Sequence, residues 1–413
     1  MKRFIITAIA VVTAAFMFSC NKTNPENSSS KAQNITSAAP VKQNTSEFGS
    51  YISNTAVATG NNYIVENAES VTYHAYFPVE EYGNLEYCFY FSNTVDSTYD
   101  DGSDAYVGLT GGNYTIESAY IADGGTSVDD VVTNKQAVTF DGGNIGKDVS
   151  SGETFWSDSL NFNVEEGHFI VWEWTVSGKN IPCTYVSNLT QTGSDYGDGK
   201  GFVYCDQVPL PQLIGAKRDV KYRIAAIGDS ITQGCQTEFM KYEFWSARIS
   251  DKLGDDYGFW NCGLGWSRTS DAASDGDWLE RTSSADVVIV AFGTNDIVSG
   301  EYNGDGGNTA AEIDEYLRSV LNKLKEADCS IIVFNAPPEN YRDDMETVRT
   351  EYNEQLKKTC EEYGVFYFDF ASLLCDESNP SVALYGGHPN GEAGNIVSDE
   401  FISEYSDFLC INK

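Results

Sequence analysis

Between residue 51 and about residue 215 apolar and polar positions alternate with a period of two. Val71-Thr72-Tyr73-His74-Ala75-Tyr76-Phe77, Tyr87-Cys88-Phe89-Tyr90-Phe91 and Phe169-Ile170-Val171-Trp172-Glu173-Trp174 are examples, with turn clusters such as Asp100-Asp101-Gly102 and Gly111-Gly112-Asn113 between such runs. This period sends successive side chains to opposite faces of a strand and predicts an all-β sandwich of the jelly-roll type over residues 51–215. After Tyr222 the texture changes to apolar strands at 222–228, 258–263, 286–292, 330–335 and 365–369. Amphipathic helical runs lie between them, notably at 310–327 and 342–363. Strands that alternate with helices predict an α/β domain over residues 220–413, with a parallel sheet covered on both faces. In that architecture chemistry collects at the carboxyl ends of the strands.

The N-terminal pattern is different again. Lys2 and Arg3 precede an apolar run from Phe4 to Phe18, the signature of an export signal over residues 1–20. The run is too short and wrongly flanked for a spanning helix. Met17-Phe18-Ser19-Cys20 resembles the bacterial lipobox, with Met where Leu is usual; that resemblance implies that Cys20 is lipidated and becomes the mature N-terminus. Residues 21–50 hold few large apolar side chains and read as a disordered linker, a stalk between the anchor and the folded body. These segments predict a lipid-anchored protein of the cell envelope, exposed outside the cytoplasmic membrane and touching the membrane through its lipid alone.

Composition narrows the partners. The formal net charge of -35, spread along 413 residues, argues against nucleic acid and anionic lipid as ligands. Beyond Cys20 there are nine cysteines, at 88, 183, 205, 235, 262, 329, 360, 375 and 410, with no CxxC pair and no zinc spacing. They read as small buried hydrophobes, and neither a metal nor an organic cofactor is expected. The tyrosines and tryptophans of the β region have two readings, as faces for sugar rings or as ordinary filling of a half-buried sheet.

The candidate chemistry sits where the strands of the α/β region end. Arg223-Ile224-Ala225-Ala226-Ile227 runs into Gly228-Asp229-Ser230, which presents the Ser230 hydroxyl at a strand exit as a candidate nucleophile. The next strand leads into Asn261-Cys262-Gly263-Leu264-Gly265-Trp266-Ser267, where glycines let backbone amides approach a bound oxygen. The third ends on Gly293-Thr294-Asn295-Asp296, and the Asn295 amide could donate to an oxyanion or cap the following helix. Of three histidines only His388, in Gly386-Gly387-His388-Pro389-Asn390-Gly391, falls in the α/β region; a serine needs such a base to become nucleophilic.

Taken in order, Gly228-Asp229-Ser230-Ile231-Thr232, the glycine loop, Gly293-Thr294-Asn295-Asp296 and His388-Pro389 resemble the SGNH, or GDSL-like, hydrolases over residues 221–410. The resemblance implies a three-layer, flavodoxin-like domain with Ser230 as nucleophile and His388 as general base. It implies an oxyanion hole made by the Ser230 amide, the Asn295 side chain and one loop amide, from Gly265 or alternatively Trp266. The family usually has Gly where this chain has Trp266. It commonly has Asp three residues before the histidine, where this chain has Tyr385, so a Ser-His dyad is expected, oriented by a backbone carbonyl or by Asp376.

An exported anchor, a stalk, a β-sandwich and such a hydrolase domain together resemble the two-domain carbohydrate esterases of family two. That resemblance implies deacetylation of an acetylated polysaccharide or oligosaccharide through an acyl-serine. A lipid esterase or lysophospholipase would use the same dyad on a longer chain. A non-catalytic alternative is a glycan-binding surface lipoprotein with a decayed hydrolase domain, for which Tyr385 and Trp266 speak.

Overall fold

The alternating strands fold into two antiparallel sheets packed face to face. The computed structural model describes residues 47–97, 107–274, 276–303 and 307–411; the predicted export signal, Cys20 and residues 21–46 of the predicted linker lie outside them. One sheet runs in the order Ile52–Ser53, Leu213–Ala216, Gly83–Ser92, Thr154–Trp156, with Leu160–Val164 also on Gly83–Ser92. The other is built on the long pair Tyr63–Pro78 and Phe169–Tyr185, which runs from Tyr63 opposite Cys183 to Pro78 opposite Phe169 with a shift of register between Ala68 and Val71.

Parity decides which side chains fill the sandwich. Tyr87, Phe89 and Phe91 point between the sheets, where Phe89 meets Trp172 at 4.7 Å and Phe91 meets Trp174 at 5.4 Å between ring centroids. Tyr90, one step out of phase, joins the apolar cluster of the α/β region instead. The strand Gly83–Ser92 is therefore buried on both faces along its second half.

The α/β region carries five parallel strands in the spatial order Tyr257–Gly263, Tyr222–Gly228, Val287–Ala291, Ser330–Phe334, Phe366–Phe368. This 2-1-3-4-5 order is flavodoxin-like. Alternate residues separate the two faces. Ile224, Ala226, Val287, Ile289, Ile332 and Phe334 pack under Trp245–Leu253 and Gly391–Tyr405. Ala225, Ile227, Val288, Val290, Ile331 and Val333 pack under Ala310–Glu326 and Asp343–Tyr363. Chain order reverses at Tyr222–Gly228, the second strand across the sheet, and its carboxyl end is where such sheets open a crevice.

The predicted linker needs one correction. Its last residues, Glu47–Ser50, are helical, because Phe48 is a large apolar side chain with somewhere to go. Its ring lies 4.8 Å from Tyr90, 5.0 Å from Trp156 and 5.7 Å from Trp260. Ordering the chain there is offset by aromatic burial at the seam between the β sheets and the α/β region.

Charge closes the same seam. Arg281 binds Asp96 of the β region through both nitrogens, at 2.9 and 2.6 Å, and Asp277 at 2.9 Å. Tyr90 donates to Asp277, and Asp96 accepts from the Asn61 amide at 2.8 Å. A guanidinium this deep needs such a fork of partners, since burial of an unpaired charge is prohibitive.

Candidate active site

Ser230 opens the short helix Ser230–Gln233, capped by Asp229, whose carboxylate accepts from the Ile231 amide at 2.9 Å. Gly228 is required just before it: a Cβ there would lie 2.2 Å from Thr232 Oγ1 and 2.5 Å from the Ala291 carbonyl oxygen. Gly263 is required opposite, where a Cβ would fall 2.4 Å from the Gln233 nitrogen. The nucleophile turn is thus wedged between its two neighbouring strand ends.

His388 lies on the turn before Gly391–Tyr405, a helix capped by the Asn390 side chain, which accepts from Glu392 and Ala393. Its Nε2 is 2.8 Å from Ser230 Oγ. Burial pulls the His388 pKa below its ordinary 6.5, so the imidazole is a neutral base at neutral pH. The contact has the reach that a nucleophile and its base require.

Asn295 sits buried in the first turn of Thr294–Asn303 and its side chain donates to the Ser267 carbonyl at 2.9 Å. Ser267 Oγ in turn donates to the Gly228 carbonyl at 3.0 Å. Asn261 adds a tie, with its amide nitrogen 3.0 Å from the Thr232 carbonyl and its oxygen accepting from Gly263 at 2.9 Å. Three strand-end turns are therefore one hydrogen-bonded unit around Ser230.

The glycine loop departs from expectation. The Gly265 amide donates to Gln233 Oε1 at 2.8 Å, so Gly265 is not the loop donor that its place in the sequence suggests. Trp266, the alternative, has φ 65°, the left-handed region that a glycine would favour. The chain takes that conformation here with an indole attached.

Neither expected carboxylate position serves His388. Tyr385 packs half-buried against the apolar cluster that holds Trp245 and Phe370. Asp376 is half-buried and accepts from Ser378 and Asn379 of its own turn. Among the described residues no carboxylate hydrogen-bonds to the imidazole.

Glu339 is a group the sequence reading passed over. It follows Ser330–Phe334, and a Cβ on Gly387 would lie 3.4 Å from its carboxylate, which places it against the His388 loop. Burial and the nearby Asp229 push its pKa up to about 8. Burial likewise lifts Asp229 to about 7 and Asp296 to about 6. The floor of the site is thus acidic in composition, with Glu339 mainly protonated at neutral pH. An isolated Glu in a Pro-Pro-Glu-Asn run carries no sequence signal for this role.

Among the described residues no group of three or more His, Cys, Asp or Glu side chains is placed to hold a metal, and the nine described cysteines are unpaired. His74 and His168 belong to the β region: His74 stacks on Phe202 at 3.8 Å and His168 bonds Asp123 at 2.8 Å.

Residues 226–394 match the model of the GDSL-like Lipase/Acylhydrolase family. They form a GDSL-like hydrolase domain. Solved structures resemble it at low identity. A member of the lipolytic protein G-D-S-L family from Veillonella parvula is 20% identical, covers 44% of this chain and 96% of its own, and gives a TM-score of 0.37. A catalytic mutant of Axe2, an acetylxylan esterase from Geobacillus stearothermophilus, is 19% identical over 45% of this chain and 94% of its own, with a TM-score of 0.37. A GDSL-like lipase from Bacteroides thetaiotaomicron is 14% identical over 46% and 89%, with a TM-score of 0.35. No curated protein matches the chain. The GDSL-like domain accounts for the Ser230, Asn295 and His388 turns; the β sheets before it lie outside the matched residues.

Proposed function

We propose that this protein is an exported, lipid-anchored serine esterase that removes acetyl groups from polysaccharides or oligosaccharides with a Ser230-His388 dyad. The 2.8 Å contact between Ser230 Oγ and His388 Nε2 carries the reading. It also counts against the decayed-domain alternative, since a site without selection for chemistry has no reason to keep that alignment.

In the proposed reaction Ser230 Oγ attacks the ester carbonyl carbon while His388 Nε2 takes the hydroxyl proton. The Ser230 amide, the Trp266 amide and the Asn295 side chain donate to the oxyanion. Collapse breaks the bond to the sugar oxygen, which leaves with the proton from His388. Water, deprotonated by His388, then attacks the acyl-serine; the bond from the acyl carbon to Ser230 Oγ breaks, Oγ takes the proton back from His388, and acetate leaves.

Trp266, which adds bulk where the family usually has glycine, favours a short acyl group. The exposed Tyr185, Tyr196 and Tyr204 of the β region, which we read as jelly-roll in type, offer faces suited to sugar rings.

Acetate release from acetylated xylan or mannan, beside hydrolysis of long-acyl nitrophenyl esters, tests the reading in wild type and Ser230→Ala. Serine-dependent acetate release is the expected result; preference for long acyl chains would move the substrate class to lipid esters.

A further inference from the structure

The glycine loop is held from both sides, and one hand belongs to the β region. Gly265 donates its amide to Gln233 Oε1 at 2.8 Å, while its carbonyl accepts from Asn62 Nδ2 at 3.3 Å. Asn62 is buried and lies just before the strand Tyr63–Pro78; its Oδ1 accepts from the Tyr185 amide at 2.8 Å. Gln233, also buried, closes the circuit by donating from Nε2 to the Tyr185 carbonyl at 2.6 Å. A grip on both peptides that flank one residue is more than packing needs.

Geometry gives that grip a consequence. A trans peptide is planar, with its C=O and N–H directed oppositely. Fixing the Gly265 carbonyl on Asn62 therefore fixes the direction of the Trp266 N–H, which belongs to the same peptide. Turning that peptide over would swing φ of Trp266 by about half a turn, from the observed 65° to the extended region that a non-glycine residue prefers. Local backbone preference thus opposes the observed orientation, and the Asn62 bond holds it.

We infer that Asn62 of the β region is a positioning residue for the esterase reaction: with Gln233 and Tyr185 it locks the Gly265-Trp266 peptide so that the Trp266 amide serves the oxyanion hole. This rests on the esterase reading and deepens it, because it makes the β region part of the catalytic apparatus. Asn62 touches neither substrate nor Ser230; it acts through the peptide it holds.

The test uses the whole protein with Asn62→Ala and Asn62→Asp, alongside wild type and Ser230→Ala. Asn62→Asp keeps the oxygen that accepts from Tyr185 but replaces the donor to Gly265 with an acceptor. Both variants should melt as cooperatively as wild type and lose kcat by about 10- to 100-fold with KM within about twofold, the mark of a donor used mainly in the transition state. Affinity for an alkyl boronic acid, which forms a tetrahedral adduct on the serine, should fall by the same factor as kcat/KM. A folded Asn62→Ala with wild-type kcat overturns the inference alone, as does a loss confined to KM with boronate affinity unchanged. Absence of Ser230-dependent turnover in wild type overturns the esterase reading and this inference with it.

Discussion

Ser230 Oγ and His388 Nε2 meet at 2.8 Å across 158 residues of sequence, and no carboxylate among the described residues bonds the imidazole. The pair is brought together by a parallel strand that ends at Gly228 and by a last helix whose cap follows His388 by two residues. Removing either side chain should lower kcat by at least about 10³-fold, as expected of groups that act as a unit. Steady-state kinetics of Ser230→Ala and His388→Ala with a thermal melt checks this; a folded variant retaining a tenth of the wild-type rate contradicts it.

Burial places the His388 pKa below 6.5, because the charged form loses its hydration. The neutral base therefore persists as pH falls through 6.5 and is lost only lower. A kcat/KM profile should show its acid limb below pH 6.5. A limb at or above that value would place a charge partner on the imidazole.

Tyr385 occupies the position of the usual aspartate but lies among apolar side chains. Tyr385→Phe should keep kcat/KM within about twofold of wild type, since nothing in the dyad uses the phenol. A tenfold loss would assign the hydroxyl a role in orienting His388.

Glu339, raised to about 8, stays protonated in the fold while its unfolded counterpart ionises near 4.5. The folded state then binds the extra proton between these values, so stability is lost as pH rises through that window. Glu339→Gln, which mimics the neutral acid, should be the more stable protein at pH 8 by about 1–3 kcal/mol and should lose that advantage by pH 5. Melting temperatures of both proteins across pH 5–8 measure it; a constant difference would show an ionised Glu339.

Arg281 joins the β sheets to the GDSL-like domain through Asp96, with both side chains buried. Arg281→Ala leaves Asp96 buried without its cation and should destabilise the protein by about 3–5 kcal/mol. Urea denaturation is the check; a change under 1 kcal/mol would show that water replaces the guanidinium.

Much of the α/β fold was legible because parallel strands buried on both faces read as short continuous apolar runs. Val287–Ala291 and Ser330–Phe334 fall within the segments expected, and the helices Ala310–Glu326 and Asp343–Tyr363 start or stop within a residue of expectation. Ser230, Asn295 and His388 were readable for a related reason: each sits on a turn whose glycines or caps are local requirements. Phe48 was not, because one aromatic in a polar run acquires meaning only when Tyr90, Trp156 and Trp260 surround it.

The linear chain by itself determined the elements, the nucleophile turn and the missing aspartate, since period, glycine placement and residue identity are local quantities. Tertiary structure alone decided which loop amide is engaged, what holds the Trp266 peptide and which acid lies against the His388 loop. Asn62 and Gly265 are 203 residues apart, and Glu339 meets Gly387 from another strand end. Hydrogen-bond direction, desolvation and backbone strain arise only when such distant groups share a few ångströms of low-dielectric space.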